Sequence, residues 1–387
     1  MRRYGGVVLS LLILAAVAAG AYRWVEALQR SAFTYQSPLS VVPVPPGERM
    51  PPVTRRVVVV IISGLNYATA YSPDMPNLGM LLEAGAAAPM LSRPPTYPSP
   101  AWTTLLTSVW PDLNNAAILE AGATDLRPLV LDHLFAAAHD AGLRTAIAGL
   151  RGWERLLPAG AIDASFYTSG QDAVADGQVA QAALGFMADP QYNLILVHFS
   201  QVSAAGRADG AASTAYTGAA RQVDGYLRQF MRLTNPSESV LIVTSDHGML
   251  GDGRLGGGEA GLTRLPFVMI GQAVVPGDYS PVGQIDLAPT VTALLGARLP
   301  AAAQGRPLYE MLRLDEETRT GGQLQLAAQK VSLGDAYLLA IGRDRLSQAT
   351  HQDLFSAQQT AINGNRPGAR QLADLVTTEA TTEMASA

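Results

Sequence analysis

Four short polar stretches interrupt an otherwise apolar chain, and each carries side chains capable of chemistry. Ser63-Gly64-Leu65 offers a hydroxyl beside a glycine. The stretch Pro94–Thr107 holds Thr96 and Ser99 among prolines, and Gln201–Arg207 holds Ser203 and Arg207. Ser245-Asp246-His247-Gly248 places a carboxylate and an imidazole side by side. A serine or threonine hydroxyl is almost un-ionised at neutral pH and needs a base or a metal before it can attack. An adjacent Asp-His pair is either a metal-ligand pair or a polar cap on a strand-to-helix turn. A guanidinium such as that of Arg207 can hold phosphate or sulfate bidentately without metal; its ordinary alternative is solvent or a nearby carboxylate. His198 stands inside an apolar run and reads as a hydrogen-bonded core histidine, while Trp102 reads as packing. Asp209, Asp252 and Glu259 read as solvated loop carboxylates, and His133, His139 and His351 lie apart from the motifs.

The polar stretches follow apolar, β-branched runs, which predict buried strands over 57–62, 145–149, 194–199, 239–244 and 266–271. Helices are predicted over 76–84, 131–141, 176–188 and 215–233, the first two closed by Gly85 and Gly142. Strands alternating with helices predict an α/β fold, a three-layer α/β/α sandwich around a mostly parallel sheet. Ligands collect at the carboxyl ends of such strands, which is where Ser63, Ser203 and Asp246-His247 fall. From Gly321 the chain is Ala/Gln-rich, predicting a C-terminal extension (321–387) with helices over 323–342 and 352–375 and a final dozen residues that fray.

The start of the chain has a different character. Met1-Arg2-Arg3 precedes an uncharged run from Val7 to Ala21, close to the minimum of about 17 residues for crossing a bilayer. Residues 1–30 therefore read as a membrane anchor or as a cleaved signal peptide, and either places the body outside the cytoplasm, anchored or secreted. Six prolines between Pro38 and Pro52 make 31–54 an extended spacer. The absence of cysteine excludes disulfides and thiolate chemistry, and a net charge of -5 argues against nucleic acid as a partner. Lys330 is the sole lysine, read as a coding bias.

Taken in order, the motifs resemble those of the alkaline phosphatase superfamily, in its type I phosphodiesterase/nucleotide pyrophosphatase-like and sulfatase-like branch, over roughly 55–320. The resemblance rests on the strand ending in Ser63-Gly64-Leu65, on Pro100-Ala101-Trp102-Thr103-Thr104-Leu105-Leu106-Thr107, and on Gln201–Arg207. Ser245-Asp246-His247-Gly248-Met249 with Gly256-Gly257-Gly258-Glu259 and Gln284-Ile285-Asp286-Leu287-Ala288-Pro289-Thr290 complete it. It implies cleavage of phosphate or sulfate esters by two metal ions, usually zinc, and a hydroxyl nucleophile.

Residue by residue, the resemblance places Ser63 where one aspartate ligand belongs. Ser203, Arg207 and Leu255 stand at the three ligands of the other ion, and Pro98 at the nucleophile. Asp246 and His247 alone match, a residual pair able to hold at most one weakly bound divalent ion. Ser99 and Thr96 are the nearest hydroxyl substitutes. This implies a membrane-tethered, catalytically degenerate relative that binds an anionic phosphate- or sulfate-bearing ligand through Arg207, Ser63 and Ser203, or a protein partner. The alternatives are an active phosphate-ester hydrolase with an altered metal site and a structural envelope protein.

Overall fold

The computed structural model describes residues 5–34, 36–39, 41–44, 50–118, 120 and 126–387. Helix α1 (Gly5–Thr34) projects with its apolar side chains exposed, and within it 23 residues from Gly6 to Leu28 are long and apolar enough to cross a membrane. The body begins with β1 (Arg56–Ile62), α2 (Tyr67–Ala70), α3 (Pro76–Ala84), β2 (Ala86–Leu91), α4 (Pro98–Thr107) and α5 (Leu134–Asp140). It continues through β3 (Thr145–Leu150), α6 (Gly152–Leu156), β4 (Ala164–Thr168), α7 (Ala173–Ala188), β5 (Leu194–Phe199), α8 (Gln201–Asp209) and α9 (Thr214–Leu233). Then come β6 (Ser239–Thr244), α10 (Ala260–Thr263), β7 (Arg264–Ile270), β8 (Gly277–Asp278), β9 (Val282–Gly283) and α11 (Leu287–Leu295). Helices α12 (Glu316–Ala340), α13 (Gln348–Ile362) and α14 (Arg366–Ala385) close the chain.

The strands form one sheet in the order β4-β3-β5-β1-β6-β7-β2-β8, with β9 also on β2. The neighbours from β4 to β6 run parallel, while β7 runs antiparallel to both β6 and β2. Side chains alternate across a strand, so β1 feeds two cores. Val57, Val59 and Ile61 pack with Leu105, Phe135 and Leu294 of α4, α5 and α11. Val58, Val60 and Ile62 pack with Leu78, Val179 and Val223 of α3, α7 and α9. This is the expected three-layer sandwich. β1, β5 and β6 are neighbours, so whatever follows their carboxyl ends must meet.

Four expectations need correction. The spacer is not free: Leu39 is buried with Val109, Leu131, Ala302 and Leu333, and the Val53 and Thr54 amides donate to the Leu294 carbonyl. Residues 31–34 belong to α1, and within the described stretches 36–39 and 41–44, which form no helix, Leu39 finds an apolar socket. The stretch 352–375 is not one helix, because Gly364 adopts φ +83° between α13 and α14, a backbone state that glycine takes without steric cost. The end does not fray; α14 continues to Ala385, packs on α12, and its Glu383 accepts from the Ser347 amide and the Ser347 and Thr350 hydroxyls. The boundary drawn at 320 falls inside α12.

Candidate functional site

Three loops converge at the carboxyl edge of β5, β1 and β6. Ser63 directly follows β1, and its amide donates to the Phe199 carbonyl of β5. Gly64 then turns with φ +77°, and a Cβ there would sit 2.7 Å from Ser203 Cα, so only glycine lets the Ser63 turn and α8 approach so closely. Asp246, just past β6, is fully buried. Its Oδ2 accepts from Ser63 Oγ (2.9 Å) and Trp102 Nε1 (2.7 Å), its Oδ1 from the amides of His247 (2.8 Å) and Gly64 (3.2 Å). From below, Gln284 Nε2 donates to the Asp246 carbonyl (2.6 Å), which is how the late Gln284–Thr290 motif supports the site. Burial opposes the Asp246 charge, but His247, His198 and the Trp102 donor outweigh it and hold the carboxyl well below its ordinary value.

Beside this anchor opens a cavity of about 320 Å³. Ser63, Ser203, Ser99, Pro98 and Arg207 line it, so these sequence-chosen positions do come together. Ser99 occupies the first turn of α4, and its hydroxyl bonds to none of the described residues. Arg207 pairs with Glu120 at the rim, the ordinary alternative for that side chain. His247 stands behind, its Nδ1 2.7 Å from the Gly248 carbonyl and its Nε2 3.5 Å from Ser63 Oγ.

Thr96 is a correction: it does not line the cavity, and its hydroxyl is committed to the Gly257 carbonyl (2.9 Å) and the Gly256 amide (3.1 Å). Trp102 is more than packing, since its indole N–H anchors Asp246 while its ring stacks on Trp153. His198 also departs from expectation: it lines the cavity, and neither ring nitrogen has a hydrogen-bond partner among the described residues. Arg151 and Arg155, on the turn after β3 and the adjoining α6, bring further cations to the same cavity. They were findable by the same rule that picked Ser63, because they follow the carboxyl end of a parallel strand.

Whether these residues fit two zinc ions is decided by Asp246. A carboxylate has about four acceptor positions, and four protein donors already occupy them. Ser63, Ser203 and Arg207 supply no carboxylate or imidazole where further ligands belong, and no group of three or more His, Asp or Glu among the described residues is arranged to hold a metal. The residues do not fit a bimetallic centre. Hydroxyl, indole and amide donors do here what a cation would otherwise do for Asp246.

The close approach at Gly64 yields a prediction. Gly64→Ala is expected to push Ser203 away from Ser63 and destabilise the fold by about 2 kcal/mol through strain and overpacking. Urea unfolding checks this, and an unchanged midpoint would show that the two loops are not in such tight contact.

Comparison with known proteins agrees with the architecture. Residues 132–251 match the model of the type I phosphodiesterase / nucleotide pyrophosphatase family. GPI ethanolamine phosphate transferase 2 of Yarrowia lipolytica is 25% identical over 290 residues, covering 67% of this chain and 33% of that protein. The catalytic subunit of human GPI ethanolamine phosphate transferase 3 is 26% identical over 247 residues, covering 59% and 22% respectively. The chain thus spans a third or less of the length of these curated relatives. Murine ectonucleotide pyrophosphatase / phosphodiesterase 5 superimposes with a TM-score of 0.55 at 12% identity, covering 67% of this chain and 100% of that one. An alkaline phosphatase PafA variant does so at 0.58 and 10%, covering 68% and 99%, which shows a shared fold. Sheet order, converging loops and matched segment together give this chain an alkaline phosphatase-like fold containing a segment that matches the type I phosphodiesterase / nucleotide pyrophosphatase family.

Proposed function

We propose that the protein is a membrane-tethered binder of phosphate esters that works without a bimetallic centre, its body outside the cytoplasm. The observation that carries this is the hydrogen-bonded saturation of Asp246, beside a cavity whose cationic groups are arginines. Arg155 makes no ion pair with the described residues, while Arg151 and Arg207 hold exposed partners, Glu154 and Glu120, that a phosphate can replace. Exposed pairs of this kind are worth at most about 1 kcal/mol, so exchanging them for a ligand costs little. Because the relatives' names specify ethanolamine phosphate, a phosphoethanolamine ester is the first ligand to test, with Glu120 at the rim available to its ammonium group.

The experiment uses the full chain in detergent micelles with a chelator present. Phosphoethanolamine is expected to raise the melting temperature, and Arg155→Ala and Arg207→Ala to weaken its binding several-fold. Stoichiometric zinc together with turnover of aryl phosphate or phosphodiester substrates, abolished in Asp246→Ala, would sink the proposal. A second possibility, hydrolysis or transfer through Ser99, is favoured by the free hydroxyl on the first turn of α4 facing the cavity. It requires metal-independent turnover lost in Ser99→Ala.

A further inference from the structure

We infer that His198 is the ligand-contacting group on the floor of the arginine-rimmed cavity, where it bonds the phosphoryl group of an ester that carries an apolar substituent besides any ethanolamine arm; this rests on the phosphate-ester proposal above. His198 is the penultimate residue of β5 and is 1% exposed, yet both ring nitrogens lack a hydrogen-bond partner among the described residues. A buried polar group left unsatisfied costs about 1–3 kcal/mol, so such groups are few and call for an explanation.

The surroundings fix the ring. Trp102 and Trp153 meet it edge-on, with centroids 4.9 and 5.6 Å away and interplanar angles of 80° and 71°. Gly149 on β3 makes room for it, since a Cβ there would lie 2.9 Å from His198 Cβ. Nε2 stands 3.7 Å from Asp246 Oδ2, within ion-pair range but beyond hydrogen-bond length. That places Nε2 beside the carboxylate and leaves Nδ1 without a partner among the described residues.

The fold thus holds a polar ring rigidly, among aromatic neighbours, at the floor of a cavity without satisfying it. Arg151 and Arg155 add positive charge, while Leu126 and Leu150 add an apolar wall. This combination suits an anionic phosphoryl group joined to an apolar or aromatic substituent rather than a free sugar phosphate.

The test compares phenyl phosphate and inorganic phosphate by calorimetric titration of the full chain in detergent, with chelator. His198→Phe keeps the aromatic clamp and removes the unsatisfied nitrogens. It is expected to leave the unliganded protein folded, with at most a small loss of melting temperature from the removed imidazole beside Asp246, while weakening both probes at least tenfold. Leu150→Ala is expected to weaken phenyl phosphate alone. If His198→Phe does not fold, His198→Gln decides: normal stability with three- to tenfold weaker binding supports the assignment, and unchanged affinity overturns it. Wild-type binding that survives His198→Phe overturns the role of His198 alone. If the wild type binds neither probe, the phosphate-ester proposal fails and the assignment falls with it. Binding seen only after zinc is added overturns both.

Discussion

Asp246→Ala is expected to lower stability by about 4 kcal/mol, which for a body of this size corresponds to a melting temperature roughly 10 °C lower. The substitution strands four buried donors at once: Ser63 Oγ, Trp102 Nε1 and the amides of Gly64 and His247. Asp246→Asn should recover part of the loss, because its carbonyl oxygen still accepts, although its amide nitrogen then faces donors. The pH dependence has a definite sign. The carboxyl is held well below its unfolded value, so its contribution is fully present above about pH 4 and drains away as pH falls from about 4 toward 2. Wild type should therefore lose more stability than Asp246→Asn across that interval. A chelator should leave the wild-type midpoint unchanged. If chelation instead lowers the wild type to the level of the alanine variant, Asp246 is a metal ligand and the hydrogen-bonded account of the site is wrong.

The sheet was legible because its central strands are apolar runs rich in β-branched residues, interrupted only by His198 in β5. Such runs are stable only when both faces are covered, and that requirement alone dictates helices above and below. The loops carrying Ser63, Ser203 and Asp246 were legible from the same logic, since polar residues directly after buried strands must emerge at the carboxyl edge. β2 is not legible in this way: Ala86-Ala87-Ala88-Pro89-Met90-Leu91 has little intrinsic strand preference and forms one through pairing with β7. His198 departs from its expected role because a lone histidine in an apolar strand is usually satisfied, and sequence does not reveal whether a partner arrives from a distant segment. Trp102 departs from its own for a related reason. Its ring is recognisable as packing, but the target of its N–H lies 144 residues away.

Lys330 shows the same limit more sharply, since as the sole lysine it invites a compositional explanation. It is fully buried on α12, and its Nζ donates to the carbonyls of Ala303 (2.9 Å), Gln304 (2.6 Å) and Gly305 (2.9 Å). The neighbouring Gln329 Nε2 donates to the carbonyls of Ala301 (2.8 Å) and Ala303 (3.1 Å). The 301–305 loop in turn holds the site's support, because the Gly305 amide donates to Ser108 Oγ and that hydroxyl donates to the Ile285 carbonyl, one residue from Gln284. Lys330→Ala is expected to cost about 3 kcal/mol by leaving buried carbonyls unpaired and opening a void beneath α12.

Burial lowers the Lys330 ammonium to about 7, against a smaller opposing pull from Asp286. A lysine that holds its proton more weakly when folded disfavours folding while charged. Between about pH 7 and its ordinary value near 10.5 the unfolded chain binds the extra proton, so wild-type stability rises with pH there. From about pH 7 to about pH 9 the gain is roughly 2 kcal/mol, because each tenfold difference in proton affinity is worth about 1.4 kcal/mol. Lys330→Met keeps the apolar stem without the titrating group and should show no such rise. Urea midpoints for the two proteins at those two pH values supply the comparison. Parallel pH profiles would mean that the three carbonyls hold the ammonium charged throughout, and that Lys330 secures the C-terminal helices as a permanent cation.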